Sequence, residues 1–417
     1  MEKTNCNARI PAEYHIDCGI SREVLENYLS KAITYLYFSD GPSNGGEPIN
    51  PGAINGLISM GAKYIQRAGC VWLQDAKELN ETAKSKMKAH IDAVHQIAPE
   101  IVFEACLFET CSIKINDVEI PPYVFEAFGQ PVEHGRKFNY KNIIFSEKEY
   151  DRWGDDSGVP DITKLETQMY FYYQGTFYID AGFEALHWGQ VVLMGRKDKG
   201  NAAWTKVINM VRAYALAHAR RGFVFNNAHA IRKADVTGSD GLLLYDFNAS
   251  PLRLTEVEGS ETMECTIDKK DPEPIGGSVY GRGPGGKTHS GWECDSLPYL
   301  VELDNYGGIY DENGKGVENI GVFNADPGNK WAVIWVWGYD EISWFANQRE
   351  EYRRNWLNYA YNRVRELDPS GHFSMPGYRP YFFAQNGEIA SSRYDCLNDR
   401  FNDSAAMKAI WEGSYPS

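Results

Sequence analysis

The sequence has no run of 18 apolar residues, which excludes a membrane-spanning helix. It has no C-x-x-C pair. Its eight cysteines, Cys6, Cys18, Cys70, Cys106, Cys111, Cys265, Cys294 and Cys396, show no Cys/His spacing suited to structural zinc. Reduced, mostly structural thiols are therefore expected, in keeping with a reducing compartment. No glycine-rich dinucleotide fingerprint stands early in the chain, which argues against a doubly wound open sheet. No low-complexity tract is present. Positive charge is scarce: 42 Lys and Arg face 57 Asp and Glu, a net charge of −15. This argues against nucleic acid or an anionic membrane as the main partner, and neither is expected, because both are bound by lysine and arginine neutralising phosphates. The opening residues, MEKTNCNARIPAEYH, lack the apolar core of a signal peptide. The expected location is cytoplasmic, or secreted if a signal has been removed.

What is present is an ordinary apolar and charged composition with an excess of rings. Hydrophobic residues make up 43% and charged residues 24%, as in folded soluble chains. The 26 Tyr and 11 Trp lean toward a carbohydrate partner, since flat rings cover the apolar faces of sugars. A local pattern recurs: an amphipathic helix, a glycine, then a short apolar run ending in polar residues. It is seen at 53–66, at 163–190 around Gly182, and at 204–230 around Gly222. The glycine suits a left-handed helix cap, and the apolar run suits a buried parallel strand.

Eight such runs stand at 32–39, 62–66, 101–107, 183–188, 223–227, 242–248, 299–305 and 331–338. Clear helices are expected at 79–97, 163–181, 204–221 and 342–366. The fold class is therefore α/β, a (β/α)8 TIM barrel with long βα-loop insertions at 113–160 and 254–297. The whole chain, 1–417, is expected to be a single barrel domain. Its core covers about 30–366, with an irregular C-terminal segment at 367–417. The stretch GRGPGGKT at 281–288 fits a phosphate-loop pattern, but no strand precedes it and no helix follows, so a flexible loop is expected.

In such barrels the site lies at the C-terminal ends of the strands. There the runs carry Arg67, Glu109, His187 with Gln190, Asn227 with His229, Asp246, and Glu302 with Asp304. The eighth run is followed by Trp337, Tyr339, Asp340 and Trp344. Buried charges are costly unless paired or functional, and six successive runs end in carboxylate, amide or imidazole. A polar, ring-walled hollow of this kind suits a polyhydroxylated ligand. Cleaving a glycosidic bond takes two carboxyl groups in contrasting settings. Glu302 and Glu109 are the favoured catalytic pair, with Asp246 third. Asp304, Asp340, Arg67, His187, Gln190, Asn227 and His229 are expected to bind substrate, His187 by donating a hydrogen bond. Trp337, Tyr339 and Trp344 are expected to stack on sugar rings. No cofactor and no metal are expected. A metal-dependent hydrolase using His187, His229 and Asp304 is one alternative, and a carbohydrate-binding barrel without catalysis is the other.

The segments YIDAGFEALHWGQ, LLLYDFN, YLVELDN and VIWVWGYDEISWF make the chain resemble a TIM-barrel glycoside hydrolase over roughly 30–366. The resemblance implies hydrolysis of an oligo- or polysaccharide by carboxylate acid/base catalysis. Retaining enzymes on this fold place an acid/base Glu at the end of strand four and a nucleophile Glu at the end of strand seven. Glu302 stands near the second position, while the fourth run offers His187 and Gln190 and no carboxylate.

Overall fold

Short apolar runs flanked by helices can bury both faces only in a parallel sheet covered on its outer side. A computed structural model shows this arrangement. It describes residues 9–39, 51–72, 75–230, 232–252, 254–257, 260, 262–267, 284–304, 340–385 and 388–416. The strands are β1 (Ala32–Tyr35), β2 (Tyr64–Gly69), β3 (Val102–Cys106), β4 (Ala185–His187), β5 (Phe225–Ala228), β6 (Phe247–Pro251), β7 (Tyr299–Glu302) and β8 (Gly371–Gln385). Each pairs in parallel with the next, and β8 pairs in parallel with β1, so the ring closes as a (β/α)8 barrel. β9 (Glu388–Asp395) folds back antiparallel on the far half of β8.

The principal helices are α1 (Arg22–Leu29), α2 (Pro51–Met60), α3 (Glu81–Ile97), α4 (Leu165–Asp180), α5 (Ala202–His218), α6 (Glu341–Ala346), α7 (Glu350–Leu367) and α8 (Ser404–Trp411). Side chains cap the exposed N–H groups where the chain turns into them. Ser21 accepts from Val24 N–H ahead of α1, and Asn80 from Ala83 N–H ahead of α3. Gly182, at φ +98°, ends α4 in the left-handed conformation that the recurring glycine implied. α4 is buried nearly all round, with residues 166–179 all buried. Part of the 113–160 insertion packs on its outer face, with Tyr123 Oη 2.9 Å from Thr176 Oγ1 and Arg136 paired to Glu166 at 2.8 Å.

Apart from a small group of Leu36, Cys70 and Cys106, two apolar clusters hold the barrel. The larger lies between sheet and helices. The smaller fills the N-terminal end of the barrel with Ala32, Tyr64, Val102, Ala185, Phe225, Phe247 and Leu300, plugged from below by Ile16, Leu25 and Tyr28. Glu184 closes that end. It pairs with Arg221 at 2.7 Å and Arg220 at 2.7 Å. Burial pushes its carboxyl up, but the two guanidinium groups outweigh burial and hold it at about 2.

The eighth strand corrects the expected layout. The run at 331–338 lies outside the described residues, and the strand that closes the barrel is Gly371–Gln385, in the segment expected to be irregular. Its two prolines and two glycines hide the strand pattern, yet Gly377 sits at a bulge where prolines are tolerated. A Cβ on Gly377 would lie 2.8 Å from Ile33 and from Tyr35, so the close approach of β1 requires glycine there. The phosphate-loop match also resolves. Gly286–Lys287 pairs antiparallel with Glu293–Cys294, so no helix follows the lysine. Among the described residues no helix is long and apolar enough to cross a membrane.

Candidate active site

Strand alternation brings Thr34, Gln66, Glu104, His187, Asn227, Glu302 and Ser374 into the barrel, where they bond to one another. Alternation alone would turn Arg67 outward, because Gln66 points in. A bulge in β2 changes this: Ile65 pairs with Phe103, but the next matched pair is Gly69 with Ala105. Arg67 occupies the bulge at φ +57°, a conformation sparsely used by residues other than glycine. The bulge at Gly377 shifts β8 in the same way and brings Arg379 inward.

The two arginines meet Glu302 and Asp304 from opposite sides. Arg67 donates from Nε (2.9 Å) and Nη2 (2.5 Å) to Glu302 Oε1, and from Nη2 to Asp304 Oδ2 (3.1 Å). Arg379 donates from Nη1 to Glu302 Oε2 (2.9 Å) and from Nη2 to Asp304 Oδ1. Thr34 Oγ1 and Gln66 Nε2 complete the donors around Glu302 at 3.0 and 3.4 Å. The four charged residues are all buried, Glu302 completely. Two positive and two negative charges alternate in one ring, so the group as a whole is neutral.

A second network lies beside the first. Glu104 Oε1 accepts from Arg67 N–H (3.1 Å), and Oε2 accepts from Tyr64 Oη (2.6 Å) and Asn227 Nδ2 (2.7 Å). Burial pushes the Glu104 carboxyl up to about 7, against these donors. Asn227 Oδ1 lies 2.6 Å from His187 Nδ1, and the His229 ring centroid lies 4.7 Å from that of His187.

Glu109 has a different setting. The turn after β4 wraps its carboxyl: Gln190 N–H donates to Oε2 (3.0 Å) and Gln190 Nε2 to Oε1 (2.6 Å). Gly189, at φ +66°, stands so close to Oε2 that a Cβ there would collide with it. Burial raises the Glu109 carboxyl above its usual range, while the Gln190 donors and the charge of Arg67 act against that rise. Trp153 Nε1 donates to the Glu109 carbonyl at 2.9 Å. Trp72 packs tilted on Phe108 at 4.9 Å and edge-on to Trp153 at 5.7 Å. All three rings are half-buried, so an apolar surface flanks Glu109.

No protein-family model matches this chain, and no curated protein matches it in sequence. Comparison with solved structures finds a GH27 β-L-arabinopyranosidase from Geobacillus stearothermophilus, in complex with arabinose. It is 11% identical, covers 88% of this chain and 83% of that one, and superposes with a TM-score of 0.34. A likeness that weak carries no argument about chemistry, so the function rests on the residues themselves.

Several expected site residues stand elsewhere. Asp246 precedes β6, which begins five residues later than the expected run, and it faces outward. Its carboxylate accepts from Asn226 N–H at 2.8 Å and lies 3.9 Å from Arg212 on α5, so it ties helix to sheet outside the barrel. Asp340 caps α6 by accepting from Ser343 N–H at 2.7 Å, and burial raises its carboxyl to about 7. Trp344 is fully buried, stacks edge-on to Trp356 at 5.1 Å and donates to the Met263 carbonyl. It is a core residue and offers no face to a sugar. Trp337 and Tyr339 lie outside the described residues. Gln190 braces Glu109 instead of reaching into the barrel, and Arg67 is engaged by the carboxylates. Among the described residues no three His, Cys, Asp or Glu side chains form a group that could hold a metal ion. The metal-dependent alternative also loses Asp304 to the two guanidinium groups.

Three functional candidates were missed from the sequence. Arg379 lay in the segment read as irregular. Trp72 and Trp153 stand in connecting segments where no periodicity marks them.

Proposed function

We propose that the barrel mouth cleaves the glycosidic bond of an oligo- or polysaccharide, with Glu109 as proton donor and Glu302 as the ionised carboxylate. One observation carries this reading: two carboxyl groups at one end of the barrel have opposite surroundings. Glu109 is buried among neutral amide donors and is pushed toward its protonated form. Glu302 is gripped by two guanidinium groups that match its charge. Glycoside hydrolysis uses such a contrast, an acid that protonates the leaving oxygen and a carboxylate that stays charged. Arg67 serves both, bonding to Glu302 directly and acting on Glu109 through its charge. Trp72, Phe108 and Trp153 supply an apolar face for a sugar ring beside the acid.

A second reading has its own observation. Five donors surround the Glu302 carboxylate, which leaves no lone pair for attack on a sugar carbon or a water. This favours a barrel that binds carbohydrate without cleaving it. A screen of aryl glycosides and of plant and host glycans, run on the native chain, Glu109→Gln and Glu302→Gln, separates the two. Cleavage requires turnover by the native chain and a loss of roughly 10²- to 10⁴-fold in Glu109→Gln. Full activity in both variants refutes the assignment, and sugar binding without turnover by the native chain supports the second reading.

A further inference from the structure

With Glu104 ionised, the Asn227 side chain has one orientation that its neighbours favour. Its Nδ2 faces three acceptors: Glu104 Oε2 at 2.7 Å, Tyr64 Oη at 3.5 Å and the Leu186 carbonyl at 3.5 Å. Its Oδ1 must then face His187 Nδ1, 2.6 Å away. An amide oxygen can only accept, so the hydrogen of the imidazole sits on Nδ1. The Nε2 of His187 is left with a bare lone pair. That atom is buried and has no hydrogen-bond partner among the described residues. Buried acceptors in folded proteins are almost always satisfied, so an orphan at the polar end of a barrel strand points to a missing donor.

We propose that His187 is a dedicated hydrogen-bond acceptor for a hydroxyl group of the ligand, held in one tautomer by the relay through Asn227 to Glu104. The proposal rests on the carbohydrate reading for the kind of ligand, while the tautomer follows from the hydrogen bonds alone. It reverses the role expected from sequence, where His187 was to donate. The groups facing the ring favour a neutral donor over a cation. Burial, His229 on the loop after β5 and Arg67 on β2 hold the imidazole below its usual range. The Asn227 bond and Asp304 beyond β7 act the other way and do not compensate. A ring kept neutral chiefly by burial can accept from a hydroxyl through its bare nitrogen.

Nitrogen NMR of the full chain carrying ¹⁵N-histidine tests this at pH 7, because a bare ring nitrogen resonates far from a protonated one. The His187 signals are those lost in His187→Gln. Nδ1 is expected to carry hydrogen and Nε2 to be bare, and Asn227→Leu is expected to scramble that preference. D-glucose, D-galactose, D-xylose and L-arabinose are then added in turn. At least one is expected to move the Nε2 signal while Nδ1 stays in place, and that sugar should bind about tenfold more weakly to His187→Gln. Hydrogen on Nε2, or an Nε2 signal that none of the four sugars moves, overturns the proposal. Failure of the hydrolase reading is distinct: aryl glycosides are not cleaved while the Nε2 response persists.

Discussion

Removing one charge from the ring at the barrel mouth should be costly for a reason visible in its geometry. Glu302→Gln keeps the shape of the side chain but leaves Arg67, Arg379 and Asp304 with a net charge of about +1 in a buried site. The amide nitrogen would also face a guanidinium N–H where an acceptor stood before. Glu302 is completely buried and both arginines are under one tenth exposed, so water cannot replace the lost partner. Breaking a buried ion pair from one side costs about 3–5 kcal/mol. With a urea m-value of at least about 3 kcal/mol/M for a chain of this size, the unfolding midpoint should fall by roughly 0.5–1.5 M. Adding Arg379→Met restores neutrality, so the double variant should be less destabilised than the sum of the single ones, by about 1–3 kcal/mol. Urea unfolding followed by tryptophan fluorescence reads both effects. An unchanged midpoint in Glu302→Gln, or strictly additive costs in the double variant, would refute the reasoning.

Glu109→Gln should behave in the opposite way: it breaks no ion pair, so stability should change by under about 1 kcal/mol while glycan turnover is lost. Glu104 gives a pH signature. Its carboxyl is raised from the usual 4.5 to about 7, so the folded chain takes up a proton across that window. Stability contributed by this group therefore falls as pH rises from about 4.5 to 7, by about 1.4 kcal/mol per pH unit, and Glu104→Gln should remove that much slope in unfolding measured across the window. Asp340 adds a slope of the same sign that should survive in Glu104→Gln. Trp344→Ala should cost about 3–5 kcal/mol in thermal or urea unfolding, since its ring is fully buried. Trp72→Ala should cost far less stability and weaken binding of any glycan the native chain retains; equal effects from the two tryptophans would contradict their placement.

The barrel was legible in the sequence because the apolar runs are short and end in polar residues, and three of them follow a helix closed by glycine. Gly182 and Gly222 both take positive φ, as the pattern requires. Glu302 was legible for the same reason: Leu300 and Glu302 share a face, and that face is the interior. Two kinds of information were hidden. Bulges break the two-residue period without a sequence mark, so the inward turn of Arg67 and Arg379 was invisible even though Arg67 itself was noted. Register was the other. The expected sixth run, 242–248, put Asp246 on the interior, but the strand is Phe247–Pro251, and the parity reverses. Trp344 follows a third logic, because a tryptophan near a strand end can serve core or site equally, and only packing against Trp356 decides it. The closing strand was obscured by Pro376, Gly377 and Pro380, residues that a parallel strand tolerates only beside a bulge or past the barrel rim.

The acid role of Glu109 is tested most directly by titrating its side-chain carbon in the full chain, labelled with ¹³C at the glutamate carboxyl and assigned by its loss in Glu109→Gln. A midpoint above the usual 4.5 is expected, with the carboxyl still partly protonated where most surface glutamates have ionised. A midpoint at or below 4.5 would mean that Glu109 is a charged residue braced by Gln190, with no proton to give to a leaving group.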